Sequence, residues 1–298
     1  MSHSLSALVT EELSQPADPR AVAMAAALAS LYPGAARAVL FYGSCLREAN
    51  LDGLMLDFYL IVSDYEAAYG KGWLARANRL IPPNVFPFEH QGLIAKYAVL
   101  SEPDFDRLCG RDADNVSVWA RFAQPSRLLW AADEVARIRA IVSVSRAAPT
   151  LLDLAAPAAQ ADGPGDGLHL WRTGFALTYG AELRAERTDR SGSIVDSDPD
   201  RYARFAAAYP QRRADPFTSA EIADNARRWR ALQSRGKRLT AMRLAKASFT
   251  FAGGIDYLAW KINRHAGTQI AIKPWQRRWP LLGAVTLLPR LFRSGAIR

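Results

Sequence analysis

The spacing of hydrophobic positions along the chain changes twice, once after the first forty residues and again at Asp133. In the opening stretch the spacing is helical, with an apolar stripe through Val22, Met24, Ala27, Leu28 and Leu31 that stops at Tyr32-Pro33-Gly34. Five short runs follow between residues 37 and 131: "RAVLFYG", "LMLDFYLIV", "NVFPFEH", "LIAKYAVLS" and "SRLLWA". They are rich in β-branched and aromatic residues and are punctuated by Gly, Pro, Asn and charges, which predicts five strands of one sheet. Helical pattern fills the intervals at "EAAYGKGWLARANRLI" and "PDFDRLCGRDADNVSVWARFA".

From Asp133 the strand signal fades. The stretch "ADEVARIRAIVSVSRAAPTLLDLAA" reads as helix, and "AAPAAQADGPGDG" as a loop or hinge of small residues. Four more helices are predicted in "LHLWRTGFALTYGAELRAE", "PDRYARFAAAYP", "TSAEIADNARRWRALQS" and "RLTAMRLAKASFTFAGGIDYLAWKINRHA". The fold class expected is therefore α+β, a mixed sheet with flanking helices followed by a mainly helical second domain. The boundaries expected are 1–132 for the sheet domain, 133–265 for the helical domain and 266–298 for a C-terminal tail. No internal repeat is present.

Composition narrows the chemistry. Half of the 298 residues are hydrophobic, enough to fill a packed core and to argue against wholesale disorder. The two cysteines, Cys45 and Cys109, are too few for a disulfide framework, and the four scattered histidines give no zinc spacing. No apolar run reaches the roughly 18–20 residues of a spanning helix. The acidic "EELSQPADPR" is the opposite of the basic start of a signal peptide. A cytoplasmic protein that does not cross the membrane is expected, and its net charge of +9 favours anionic partners: nucleic acid, nucleotide or an anionic lipid surface. The tail, "IKPWQRRWPLLGAVTLLPRLFRSGAIR", mixes Trp275, Trp279 and Phe292 with Arg277, Arg278 and other cations and has no acid. Such a segment can rest in a lipid headgroup region, or pack on the protein's own helices.

The candidate chemistry sits in the first two strands. A strand that ends in Gly43-Ser44 and leads into a helical turn offers backbone N–H groups and a hydroxyl to a triphosphate. About a dozen residues later the next strand carries Asp57 in an apolar run, where an unpaired carboxylate would cost several kcal/mol. A carboxylate beside such a turn suits a divalent cation bridging protein and nucleotide. The plain alternatives are an ordinary Gly-Ser turn, and a structural salt bridge from Asp57 to Arg47 or Lys96. Cys45 reads as a small packing residue.

Gly-Ser followed by an Asp-bearing strand resembles the nucleotidyltransferase superfamily, although Tyr59 stands where most members have a second Asp. The segments "FYGSCLRE", "LMLDFYLIVSD", "LIAKYAVLS" and "VWARFAQPSRLL" are similar, in this order, to the mitochondrial phosphatidate cytidylyltransferase family, which also lacks the acid at that place. "KASFTFAG", residues 246–253, is similar to a stretch near that family's C-terminus. The resemblance covers residues 39–130 and 238–255, and implies a nucleotidyltransferase-like mixed sheet.

It implies as activity the Mg²⁺-dependent transfer of CMP from CTP to phosphatidic acid or a related anionic lipid, giving CDP-diacylglycerol and pyrophosphate at a membrane surface. Asp57 becomes the principal metal ligand and catalytic residue, and Gly43 and Ser44 the triphosphate cradle. Lys96 and Arg121 become phosphate clamps, and Asp64 or its rival Glu89 the second metal ligand. Arg243 and Lys246 become lipid-phosphate contacts, with Trp275, Arg277, Arg278 and Trp279 at the membrane. The expected location is peripheral, on the inner face of the membrane, with no stable nucleic-acid partner. Two alternatives stay open: a nucleotidyltransferase acting on RNA or another anionic acceptor, and a non-catalytic membrane-associated protein of the same fold.

Overall fold

The computed structural model of the chain describes residues 4–48, 50–70, 72–181, 194–209, 215–250 and 273–274. All five runs singled out by alternation form strands: β1 (Ala36–Tyr42), β2 (Met55–Val62), β3 (Asn84–His90), β4 (Leu93–Ser101) and β5 (Ser126–Ala131). They make one open mixed sheet in the order β3-β4-β2-β1-β5. β2 and β4 run parallel, and the other neighbouring pairs are antiparallel. The protein is thus α+β, with helices on both faces of the sheet.

Alternation along each strand sorts the core into two apolar clusters. Val39, Phe41, Phe58, Leu60 and Val99 face α2 (Pro19–Ser30), α3 (Tyr65–Tyr69) and α4 (Trp73–Leu80) through Met24, Leu28, Tyr65 and Ala75. On the opposite face Leu40, Tyr59, Ile61, Ala98 and Leu100 join α1 (Leu5–Leu13), α5 (Glu102–Cys109), α6 (Trp119–Phe122) and α7 (Glu134–Ser145). The same cluster continues into α8 (Ala147–Asp162), α9 (Gly167–Tyr179), α10 (Pro199–Ala208) and α11 (Ser219–Thr250). The boundary expected at 132/133 therefore falls inside one continuous core.

Several elements differ from the sequence pattern, each for a visible reason. The buried stripe of α2 is Ala21, Met24, Ala25, Leu28 and Ala29, while Val22 and Leu31 are exposed. Its small residues bring the helix close to β1. The helix expected over 66–81 is split into α3 and α4 at Gly70, whose φ of +69° ends α3. The one expected over 103–123 survives only as α5 and α6, because Asn115 accepts from the Ser117 amide and turns the chain between them. Conversely, the expected loop at 155–167 is mostly helix: α8 runs through Pro157 to Asp162, with Ala155, Pro157 and Ala159 buried.

The last two expected helices are one helix at least as far as Thr250. It passes straight through Gly236, where a Cβ would sit 2.1 Å from the Ala181 carbonyl oxygen, so glycine here serves close approach and not a break. No helix among the described residues is long and apolar enough to cross a membrane. Trp275, Arg277, Arg278 and Trp279 lie outside the described residues.

Candidate active site

Asp57 is the third residue of β2 and pairs with Tyr42, the last residue of β1. The next residue, Gly43, has φ +96° and opens the short turn Ser44–Arg47, whose Leu46 amide donates to the Gly43 carbonyl at 3.2 Å. A Cβ at Gly43 would stand 3.2 Å from Asp57 Oδ2. Two separate demands, a left-handed φ and a carboxylate pressed against the backbone, therefore select glycine here. Ser44 is exposed at the start of the turn.

The apolar cover on this face stops just short of Asp57. Phe122 of α6 packs on Tyr59 at 5.2 Å and on Tyr42 at 6.0 Å, closing the last covered row. Asp57 is two positions beyond Tyr59 on the same face, and its side chain keeps 21% of its exposure. The row through it reads Ser126, Tyr42, Asp57, Lys96 and Pro87 across the five strands. Lys96 Nζ lies 2.9 Å from Asp57 Oδ1, but that oxygen meets no donor at a hydrogen-bonding angle. The contact is thus a Coulombic pair whose side chains keep 31% and 21% of their exposure, so it is partly screened. The plain alternative of an ion pair to Lys96 is realised.

Two further candidates meet at Ser117, in the turn before α6. Arg121 donates through Nη1 to the Ser117 carbonyl, and Arg243 of α11 donates through Nη1 to its hydroxyl at 2.9 Å. Arg243 Nε also reaches the Pro82 carbonyl at 2.8 Å. One turn on, the buried Lys246 donates to the carbonyls of Ile81 and Pro83, the latter at 2.8 Å. Burial, with the Arg243 guanidinium adding to it, pulls the Lys246 pKa down to about 7. Arg121, Arg243 and Lys246 are thus gathered around Ser117 and the turn that feeds β3. The Asp57–Lys96 row crosses β3 at Pro87, about 13 Å further along at ~3.3 Å per residue.

The two candidates for a second metal ligand are not brought to Asp57. Asp64 caps α3, accepting from the amides of Glu66 and Ala67 at 2.8 Å each. Seven residues of extended chain put it ~23 Å away. Glu89 is exposed on β3 opposite Ile94, one row along and two strands over, or ~12 Å from Asp57 by sheet spacings. Among the described residues no group of three or more His, Cys, Asp or Glu could hold a metal ion. Cys45 is buried, and burial, then Asp57 and Glu48, push its thiol pKa up, so it stays protonated and packs.

Sequence reading missed Ser117 as the meeting point of two arginines. Its only local signal is Asn115-x-Ser117, a spacing suited to a side-chain-capped turn. Compared with known proteins, the chain matches no family model and no curated protein.

Proposed function

We propose that the protein is a nucleotidyltransferase of the phosphatidate cytidylyltransferase type, acting peripherally at the inner face of a membrane. In this reading the sheet has a nucleotidyltransferase-like arrangement, and the helices after Asp133 close over the lipid acceptor. The observation that carries it is Gly43 folded against Asp57: a left-handed turn held 3.2 Å, at the position of a Cβ, from a carboxylate oxygen. An ordinary strand-to-helix turn has no need of that approach.

The residues fit a magnesium ion that arrives with its nucleotide, because Mg²⁺ commonly takes one or two carboxylates and completes its shell with phosphate oxygens and water. Asp57 would hold it, through a carboxylate whose Oδ1 has no well-aligned donor. Asp64 and Glu89 stand too far away to share the ion with it. Bound there, the ion would offset negative charge on the phosphates. Lys96, which now balances Asp57, is freed to hold a nucleotide phosphate once that charge is met otherwise. Ser44 and the amides after Gly43 orient the triphosphate, and Arg121 adds positive potential from α6.

A lipid phosphate oxygen then forms a bond to the α-phosphorus as the bond to the β-phosphate oxygen breaks, releasing pyrophosphate. The attacking oxygen is already ionised near neutral pH, so no strong general base is required. Positioning and charge neutralisation supply the rate.

One observation favours a rival, a non-catalytic membrane-associated protein of the same fold: Asp57 already has a counter-ion in Lys96. Incubating the protein with labelled CTP, Mg²⁺ and vesicles containing phosphatidic acid separates the two. CDP-diacylglycerol is expected from the wild type and not from Asp57→Ala. Vesicle co-sedimentation without product would leave the rival standing.

A further inference from the structure

A second polar site lies away from Asp57, in a cavity of about 160 Å³ between α1, the start of β5 and α10. That volume has room for on the order of ten water molecules. Most of its charges satisfy one another. Arg201 is buried and clamps Glu12 through both carboxylate oxygens, Nη2 to Oε1 at 3.0 Å, and Arg204 pairs with Glu11 at 2.9 Å.

Three charges on the cavity wall have no such partner. Arg127 of β5 donates to Gln15 at 2.5 Å and to the Ser126 carbonyl at 2.9 Å, but among the described residues it forms no ion pair. Its Nε is closed off from solvent and without an acceptor. Burial is the main influence disfavouring its charge; nearby Glu12 opposes that effect, and Arg201 adds to it. Opposite stand Asp198 and Asp200 at the start of α10. Asp198 accepts from the Arg201 amide at 3.1 Å, and among the described residues neither aspartate forms an ion pair.

A half-buried guanidinium with only neutral partners costs free energy that an anionic group would recover. A plain anion such as phosphate would also face two aspartates, and a metal cation would face the guanidinium. A ligand carrying both signs meets both walls of the cavity with matching charge. We propose that this cavity binds a small zwitterion of the free α-amino acid class, its carboxylate on Arg127 and its ammonium on Asp198 and Asp200. The site does not depend on nucleotidyl transfer.

The test is calorimetric titration and thermal unfolding of the full chain with glycine, serine and glutamate. Acetate, methylammonium and inorganic phosphate serve as single-sign probes. At least one amino acid is expected to bind and to raise the unfolding temperature by several degrees when well above its Kd. Arg127→Gln should weaken that binding by ~10-fold or more, as loss of a charge-assisted contact does. The exposed Asp200→Asn should weaken it too, and decides the question if the arginine variant does not fold. Absence of binding by all three amino acids overturns the proposal. So does equal binding of acetate or phosphate, or indifference of the affinity to Asp200→Asn.

Discussion

The two ends of β2 each carry a carboxylate, and the protein uses them in opposite ways. At the far end Ile61 is covered by the helical layer, and the strand hands over to Asp64, whose side chain is satisfied by two amides of α3. At the near end the cover closes with Phe122 over Tyr59, and Asp57 stands just outside it with one ammonium for company. Residue type is the same at both ends; the difference lies in what the surrounding layers leave open. A carboxylate locked onto helix amides is structural. One held against a glycine turn, balanced by a long flexible lysine, can exchange that lysine for a ligand.

Four measurements break or sharpen this contrast. Ile61→Ala should destabilise the protein by ~2–5 kcal/mol, the cost of a large-to-small change in a packed core, read as a shift in the urea midpoint. A loss well under 1 kcal/mol would mean that the far end is not closed as described. Gly43→Ala should reduce CMP transfer ~100-fold by displacing Asp57, since misplacing a reacting group by about an ångström costs that much. Unchanged turnover would remove the approach of Gly43 to Asp57 from the mechanism.

Lys246 gives a pH signature at the basic cluster beside the turn that feeds β3. Unfolded, it holds its proton to about pH 10.5, and folded only to about 7. Between those values the unfolded state binds more protons, so stability should rise with pH across the window. The wild type should gain on Lys246→Met by at most ~1.4 kcal/mol per pH unit there, measured by urea unfolding at several pH values. Parallel stability curves for the two proteins would refute the shift. Smallest of all, Asp64→Ala should cost ~1 kcal/mol of stability as a lost helix cap and leave CMP transfer unchanged. A matching loss of activity would erase the distinction between the two ends.

Much of this was legible in the chain. The five strands stand out because β-branched and aromatic residues recur between turn formers, and Asp57 because a single charge interrupts such a run. Helix boundaries were less legible. Pro157 and Gly236 look like breaks locally, yet each lies within a continuous helix. Burial around Pro157 and the approach of Ala181 to Gly236 outweigh local preference.

Sequence alone determined which segments alternate, which carry charge, and that a glycine turn precedes a strand with one carboxylate, because those are properties of neighbours along the chain. Only the tertiary structure decided that Asp57 meets Lys96 across the parallel pair β2 and β4. It alone brought Arg243 to Ser117 across 126 positions and left Arg127 facing a cavity without an ion-pair partner among the described residues. Such pairings depend on strand register and on the order in which layers stack. A sequence read locally contains the charges but not the distances that decide which of them neutralise each other.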